Sequence, residues 1–156
     1  MEIAGLSLHP LVVHAAIVLT PLAALSAVVF AVLPKWRYLS RWPTALLTIG
    51  ALVAVWAARL SGNSLTEARP ELRQLVRTHE ARGSELSLLM IGFTVVVAAG
   101  FWGLGGISGF LSGAGARETR AAVLDKVLPV LLVLAAVLVL VWVFRTGDAG
   151  ARAVWG

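Results

Sequence analysis

Four long apolar stretches, separated by short polar ones, set the pattern of this chain. Roughly 20 mostly apolar residues in a helix cross a hydrocarbon core about 30 Å thick. The stretches at about 10–33, 43–60, 84–104 and 126–144 meet that length. Their punctuation is helical. Pro10 and Pro43 suit the first helical position, where a missing N–H costs nothing, and Pro34 closes the first stretch. The Ser61-Gly62-Asn63 cluster is expected to close the second. No basic region precedes the first stretch, it is too long for a cleaved signal, and other spans follow it. It is therefore expected to remain in the membrane.

The connection between the second and third spans, residues 64–82, is the most polar part of the chain. Ser64 and Glu67 have capping-box spacing, and Pro70 is expected to stop that first turn and open a second helix. Leu72, Leu75, Val76 and His79 then recur at helical spacing, with Arg73, Arg77 and Glu80 off that stripe. Gly83 can end this helix and Ser84 can cap the third span, although one helix running through Gly83 would cost little. The pattern predicts an all-α integral membrane protein. It is a four-transmembrane-helix bundle with a short amphipathic helix between the second and third spans, in a single domain over residues 1–156.

Composition sharpens this picture. In 156 residues, 59% are hydrophobic and 13% charged, and the mean hydropathy is +0.89, outside the range of soluble domains. The absence of cysteine excludes disulfides, iron–sulfur clusters, thiolate zinc sites and covalently attached c-type haem. The net charge of +5 would suggest nucleic acid in a soluble protein. Here the arginines flank spans, so membrane orientation and anionic lipid account for them, and no nucleic-acid role is expected.

With four spans, the N-terminus, the 61–83 connection and the 145–156 tail share one side, here side A. Side B carries the other two connections. Lysine and arginine divide 7 to 6 between sides A and B, which decides nothing. The first hairpin does more: no basic residue precedes the first span, and Lys35, Arg37 and Arg41 follow it at once. Early short loops dominate orientation, so side B is expected to be cytoplasmic and both termini outside. Trp36, Tyr38, Trp42 and Trp102 would form the aromatic belt on side B, and Trp56, Trp142 and Trp155 the belt on side A.

All three histidines, His9, His14 and His79, fall on side A. His14 lies one turn inside the first span, where an ionisable group is costly and is expected to face the bundle interior. Thr20-Pro21 breaks the helical ladder deeper in that span and can bend it. Haem b needs axial imidazoles, an apolar slot and basic groups for its propionates, and helix bundles build such sites between facing helices. His14 and His79 are candidate ligands, with Arg59 or Arg145 near the propionates. A copper or zinc ion held by His9, His14 and His79 is the variant, although a spacing of five is not a standard helical ligand pair. A quinone pocket needs only an apolar slot with a histidine or arginine donor. The bland alternative makes the histidines satisfied structural groups in an assembly subunit, with Ala23, Ala24, Ala27 and Gly50 packing a partner helix. No span carries a charge near its centre, which argues against an ion path.

Two further motifs fail on context. His79-Glu80 lacks the second histidine of a zinc-protease helix, because Gly83 stands there. The glycine-rich run from Gly103 to Gly115 follows a membrane span rather than a strand, and reads as a side B linker.

The opening "LHPLVVH", the pair "SGNSL" and "THEARG", and the closing "TGDAGARAVWG" together resemble the bacterial membrane family called domain of unknown function 2231. The sequence departs from the family pattern after His14, where Ala15-Ala16 stand in place of the frequent Phe-Pro. The resemblance implies a bacterial cytoplasmic membrane protein with four helices and a shared site built from His9, His14 and His79. It implies no activity, but family members look like accessories to redox proteins. The expectation is a non-enzymatic membrane protein that binds haem b and exchanges electrons with a membrane redox partner.

Overall fold

The computed structural model describes residues 2–3, 6–107, 116–117 and 119–155. Four helices form the molecule: α1 (Leu8–Val32), α2 (Arg37–Ala68), α3 (Arg73–Gly103) and α4 (Leu124–Trp155). Single 3-10 turns at Pro34–Trp36 and Pro70–Leu72 join α1 to α2 and α2 to α3. Two antiparallel ladders of two residues a side complete the described chain. β1 (Glu2–Ile3) pairs with β2 (Leu6–Ser7), and β3 (Gly106–Ile107) with β4 (Ala116–Arg117). Residues 108–115 of the glycine-rich linker lie outside the described residues.

Each helix packs on two neighbours. α1 and α3 both pack against α2 and α4, so α1 and α3 face each other across the diagonal of the bundle. The exterior, unlike that of a soluble bundle, is apolar. Val18 and Leu25 of α1, Leu46 and Val53 of α2, Leu88 and Val95 of α3, and Leu134 and Val141 of α4 point outward. Thr20, Thr44, Thr48 and Ser87 are buried among the helices. All four helices are long and apolar enough to cross a membrane, and an apolar exterior over a polar-dotted interior is what lipid as solvent demands. Close approach of α3 and α4 rests on glycine: a Cβ at Gly103 would stand 2.7 Å from Leu128 Cδ1, and one at Gly100 3.0 Å from Leu132 Cδ1.

The helices differ from the sequence pattern at their ends. The Ser61-Gly62-Asn63 cluster lies inside α2, and Ser64 caps nothing, its hydroxyl donating to the Leu60 carbonyl one turn back. Gly83 lies inside α3, and the tail after Phe144 continues α4. There is no separate amphipathic helix: residues 64–82 are the end of α2, a tight turn at Pro70 and the start of α3. Packing explains this, because side-chain contacts with neighbouring helices outweigh the modest propensity cost of internal Gly, Ser and Asn. Of the proposed stripe, Leu72, Val76 and His79 are half-buried, whereas Leu75 is exposed. Pro43 is likewise internal, since α2 begins at Arg37, so the Leu39 carbonyl lacks its helical partner.

Side B is held by two buried arginines. Arg37, 5% exposed, donates from Nε to the Phe30 carbonyl, from one terminal nitrogen to Gly105 O and Asp125 Oδ1, and from the other to Ala31 O. Arg41 donates to the Phe101 and Leu104 carbonyls, and its guanidinium carbon lies 5.6 Å and 5.5 Å from the Phe30 and Phe101 ring centroids. These carbonyls belong to the last turns of α1 and α3 and the residues just after α3, which lack helical donors and carry the negative end of the dipole. Thr119 extends the network, accepting from Gly105 N and donating to Asp125. Replacing Arg37 by Met strands these acceptors and unpairs Asp125, at a cost on the order of 3 kcal/mol. Thermal unfolding in detergent, followed by tryptophan fluorescence, is expected to show Tm lower by about 10 °C in Arg37→Met. Exposed Arg120→Met should lie within about 2 °C of wild type.

Candidate functional site

At side A, α1 begins level with residues 58–62 of α2, and α2 runs on beyond it to Ala68. His9, the second residue of α1, reaches across to α2: its Nδ1 is 3.1 Å from Ala58 O and 3.0 Å from Ser61 Oγ. His79 reaches from α3 to α4, with Nδ1 3.0 Å from Thr146 O. The two imidazoles meet across the bundle diagonal with ring centroids 6.3 Å apart and planes at 76°. Each ring lies against a glycine. A Cβ at Gly62 would stand 3.1 Å from His9 Cε1, and a Cβ at Gly150 3.0 Å from His79 Nδ1.

The hydrogen bonds define the chemistry left over. A carbonyl oxygen only accepts, so each Nδ1 carries a proton, and in the neutral ring Nε2 keeps a lone pair. Among the described residues nothing hydrogen-bonds to either Nε2. Anchoring one ring nitrogen on a backbone carbonyl is how proteins orient a histidine whose other nitrogen binds a metal.

His14 does not join this pair. It is exposed on the outside of α1, with Nδ1 2.6 Å from the Pro10 carbonyl. Five residues turn a helix by about 500°, so His9 and His14 point about 140° apart. The expected inward orientation of His14 fails on that rotation. Arg59 is half-buried between α2 and α3, donating to Ser87 Oγ at 2.8 Å and lying over the Trp56 ring at 5.1 Å. Arg145 is exposed and lies over Trp142 at 5.1 Å, while its carbonyl accepts from Arg82. Ala23, Ala24 and Ala27 are fully buried within this bundle and are not free to pack a partner helix.

Among the described residues no three of His, Asp and Glu stand together as a metal-ligand group. Sequence reasoning missed Gly62 and Gly150, the notches that seat the two rings, and the carbonyls of Ala58 and Thr146. The glycines were visible in "SGN" and "DAG", but a glycine's service to a ring on another helix has no signal in its own neighbourhood. No curated protein and no solved structure matches the chain. A family model described as predicted membrane protein (DUF2231) matches residues 5–156. The match runs from the first ladder through the histidine pair to the end of α4, and the chain belongs to that family of membrane proteins.

Proposed function

We propose that this protein is a non-enzymatic membrane carrier of a redox cofactor, held by His9 and His79 at side A, and that the cofactor is haem b. One observation carries the reading: two imidazoles on diagonal helices, both anchored through Nδ1, meet with ring centroids 6.3 Å apart. With Nδ1 spent on a carbonyl in each ring, His9 and His79 could each offer Nε2 to one bound metal centre. A zinc site asks the protein for three or four ligands. Haem iron takes four ligands from its macrocycle and asks for at most two, the number this pair supplies. Arg59, one residue beyond the carbonyl that anchors His9, would suit a propionate. Bound there, haem would supply one-electron chemistry at the membrane face. The protein's own residues would hold and orient the two rings for that group.

The same reading sets side B in the cytoplasm of a bacterial membrane. Orientation is fixed as the helices insert, so Lys35, Arg37 and Arg41 count toward it even though two of them are later buried. Alkaline phosphatase fused after Gly156 is expected to be active, as it is only outside the cytoplasm. A silent phosphatase with a bright green-fluorescent-protein fusion at the same point would reverse the orientation.

Haem binding is tested on wild-type protein expressed with ample haem and purified in detergent. The expected result is a Soret band, a pyridine haemochrome of b type, and a low-spin iron signal from two nitrogen ligands. A preparation without a Soret band overturns the haem reading.

A further inference from the structure

Thr20 and Thr48 are the places where the interior of the bundle is not self-sufficient. Their side chains are 0% and 1% exposed, and among the described residues theirs are the buried hydroxyls with no hydrogen-bond partner. A buried threonine in a membrane helix ordinarily returns its hydroxyl to the carbonyl one turn back, as Thr94 does to Met90 and Thr146 to Trp142. Thr20 and Thr48 do not. Leaving a hydroxyl unpaired in an apolar interior costs about 1–3 kcal/mol.

Register brings the two to one level. The Ser26 and Thr44 hydroxyls bond at 2.7 Å, fixing antiparallel α1 against α2. Thr20 lies six residues from Ser26 toward side A, and Thr48 four residues from Thr44 in the same direction. At 1.5 Å per residue their depths differ by about 3 Å. Both lie on the core faces of their helices, Thr20 with Ala16, Ala23 and Ala27, and Thr48 with Thr44, Ala51 and Val55. A third polar atom lies within one turn of Thr20 on the same helix. Pro21 has no N–H, so the Ile17 carbonyl, one turn before it, lacks its helical donor. Prolines in membrane helices are tolerated where hydroxyls or ordered water serve such freed carbonyls.

We propose that Thr20, Thr48 and the Ile17 carbonyl form a binding site for internal water midway along α1. A buried water needs two to four polar partners, and these three atoms offer two groups that donate or accept and one that accepts. The site tops a polar ladder on the buried face of α2, formed by Arg37, Ser40, Arg41, Thr44 and Thr48. Hydration there would let α1 bend at Pro21 without an unpaired carbonyl. It is independent of the histidine pair, on which no part of this argument rests.

The test is a double-mutant cycle on the full chain in detergent, with Thr20→Val, Thr48→Val and the double variant, read as Tm. A shared water predicts that each single variant lowers Tm, because it strands the water and the other hydroxyl, and that the double variant falls by clearly less than the sum. Additive effects overturn the proposal, whether they raise Tm, as expected on removing hydroxyls from a dry core, or lower it. Should a valine variant fail to fold, water-edited solid-state NMR of threonine-labelled wild type in vesicles decides the matter. Magnetisation passing from water to the Thr20 and Thr48 signals as fast as to exposed Thr78 supports the site, and its absence at both overturns it.

Discussion

Hydrocarbon offers no hydrogen bonds, so every polar group that enters it must be satisfied by the protein itself. The structure of this chain follows from that constraint. Helices satisfy the backbone along their lengths, and the residue problem moves to their ends. At side B the last carbonyls of α1 and α3 point into the bundle, and Arg37 and Arg41 are drawn inside to meet them. Burying two guanidinium groups is tolerable because each is surrounded by carbonyls, aromatic faces or the Asp125 carboxylate. Two side chains thereby fasten α1 and α3 to α2, and Arg37 reaches α4 through Asp125.

The same rule builds the opposite end. His9 and His79 enter a half-buried region, and each uses Nδ1 to satisfy a carbonyl on a neighbouring helix. Those bonds fix both ring orientations and leave both Nε2 atoms without a hydrogen-bond partner among the described residues. Gly62 and Gly150 allow the rings to lie against backbone, so that helices on opposite corners of the bundle can meet through two side chains. His14 obeys the rule locally, turning back to the Pro10 carbonyl on its own helix, and so contributes nothing to its neighbours.

The four spans, their order and the convergence of the chain's histidines on one side were legible in hydropathy and spacing, because lipid imposes a length and a composition on each segment. Helix ends were not. Ser61-Gly62-Asn63, Ser64 and Gly83 are strong local stop and cap signals, yet tertiary packing carries α2 and α3 through them. Which histidines pair was half legible: the 140° between His9 and His14 follows from helix geometry, but it required choosing which of the two faces inward. Membrane depth favours His14, whereas the structure turns His9 toward the bundle. The roles of Arg37 and Arg41 were hidden for a different reason. They count as basic loop residues in any orientation rule, and only the meeting of three helix ends reveals them as structural.

On the haem-binding proposal His9 and His79, and not His14, act together on one bound group. The most direct measurement is the haem-to-protein ratio of three single variants, His9→Ala, His79→Ala and His14→Ala, expressed and purified beside wild type. Either of the first two is expected to lose most of the bound haem or its low-spin spectrum, while His14→Ala keeps both. Retention in His9→Ala and His79→Ala together with loss in His14→Ala would contradict it.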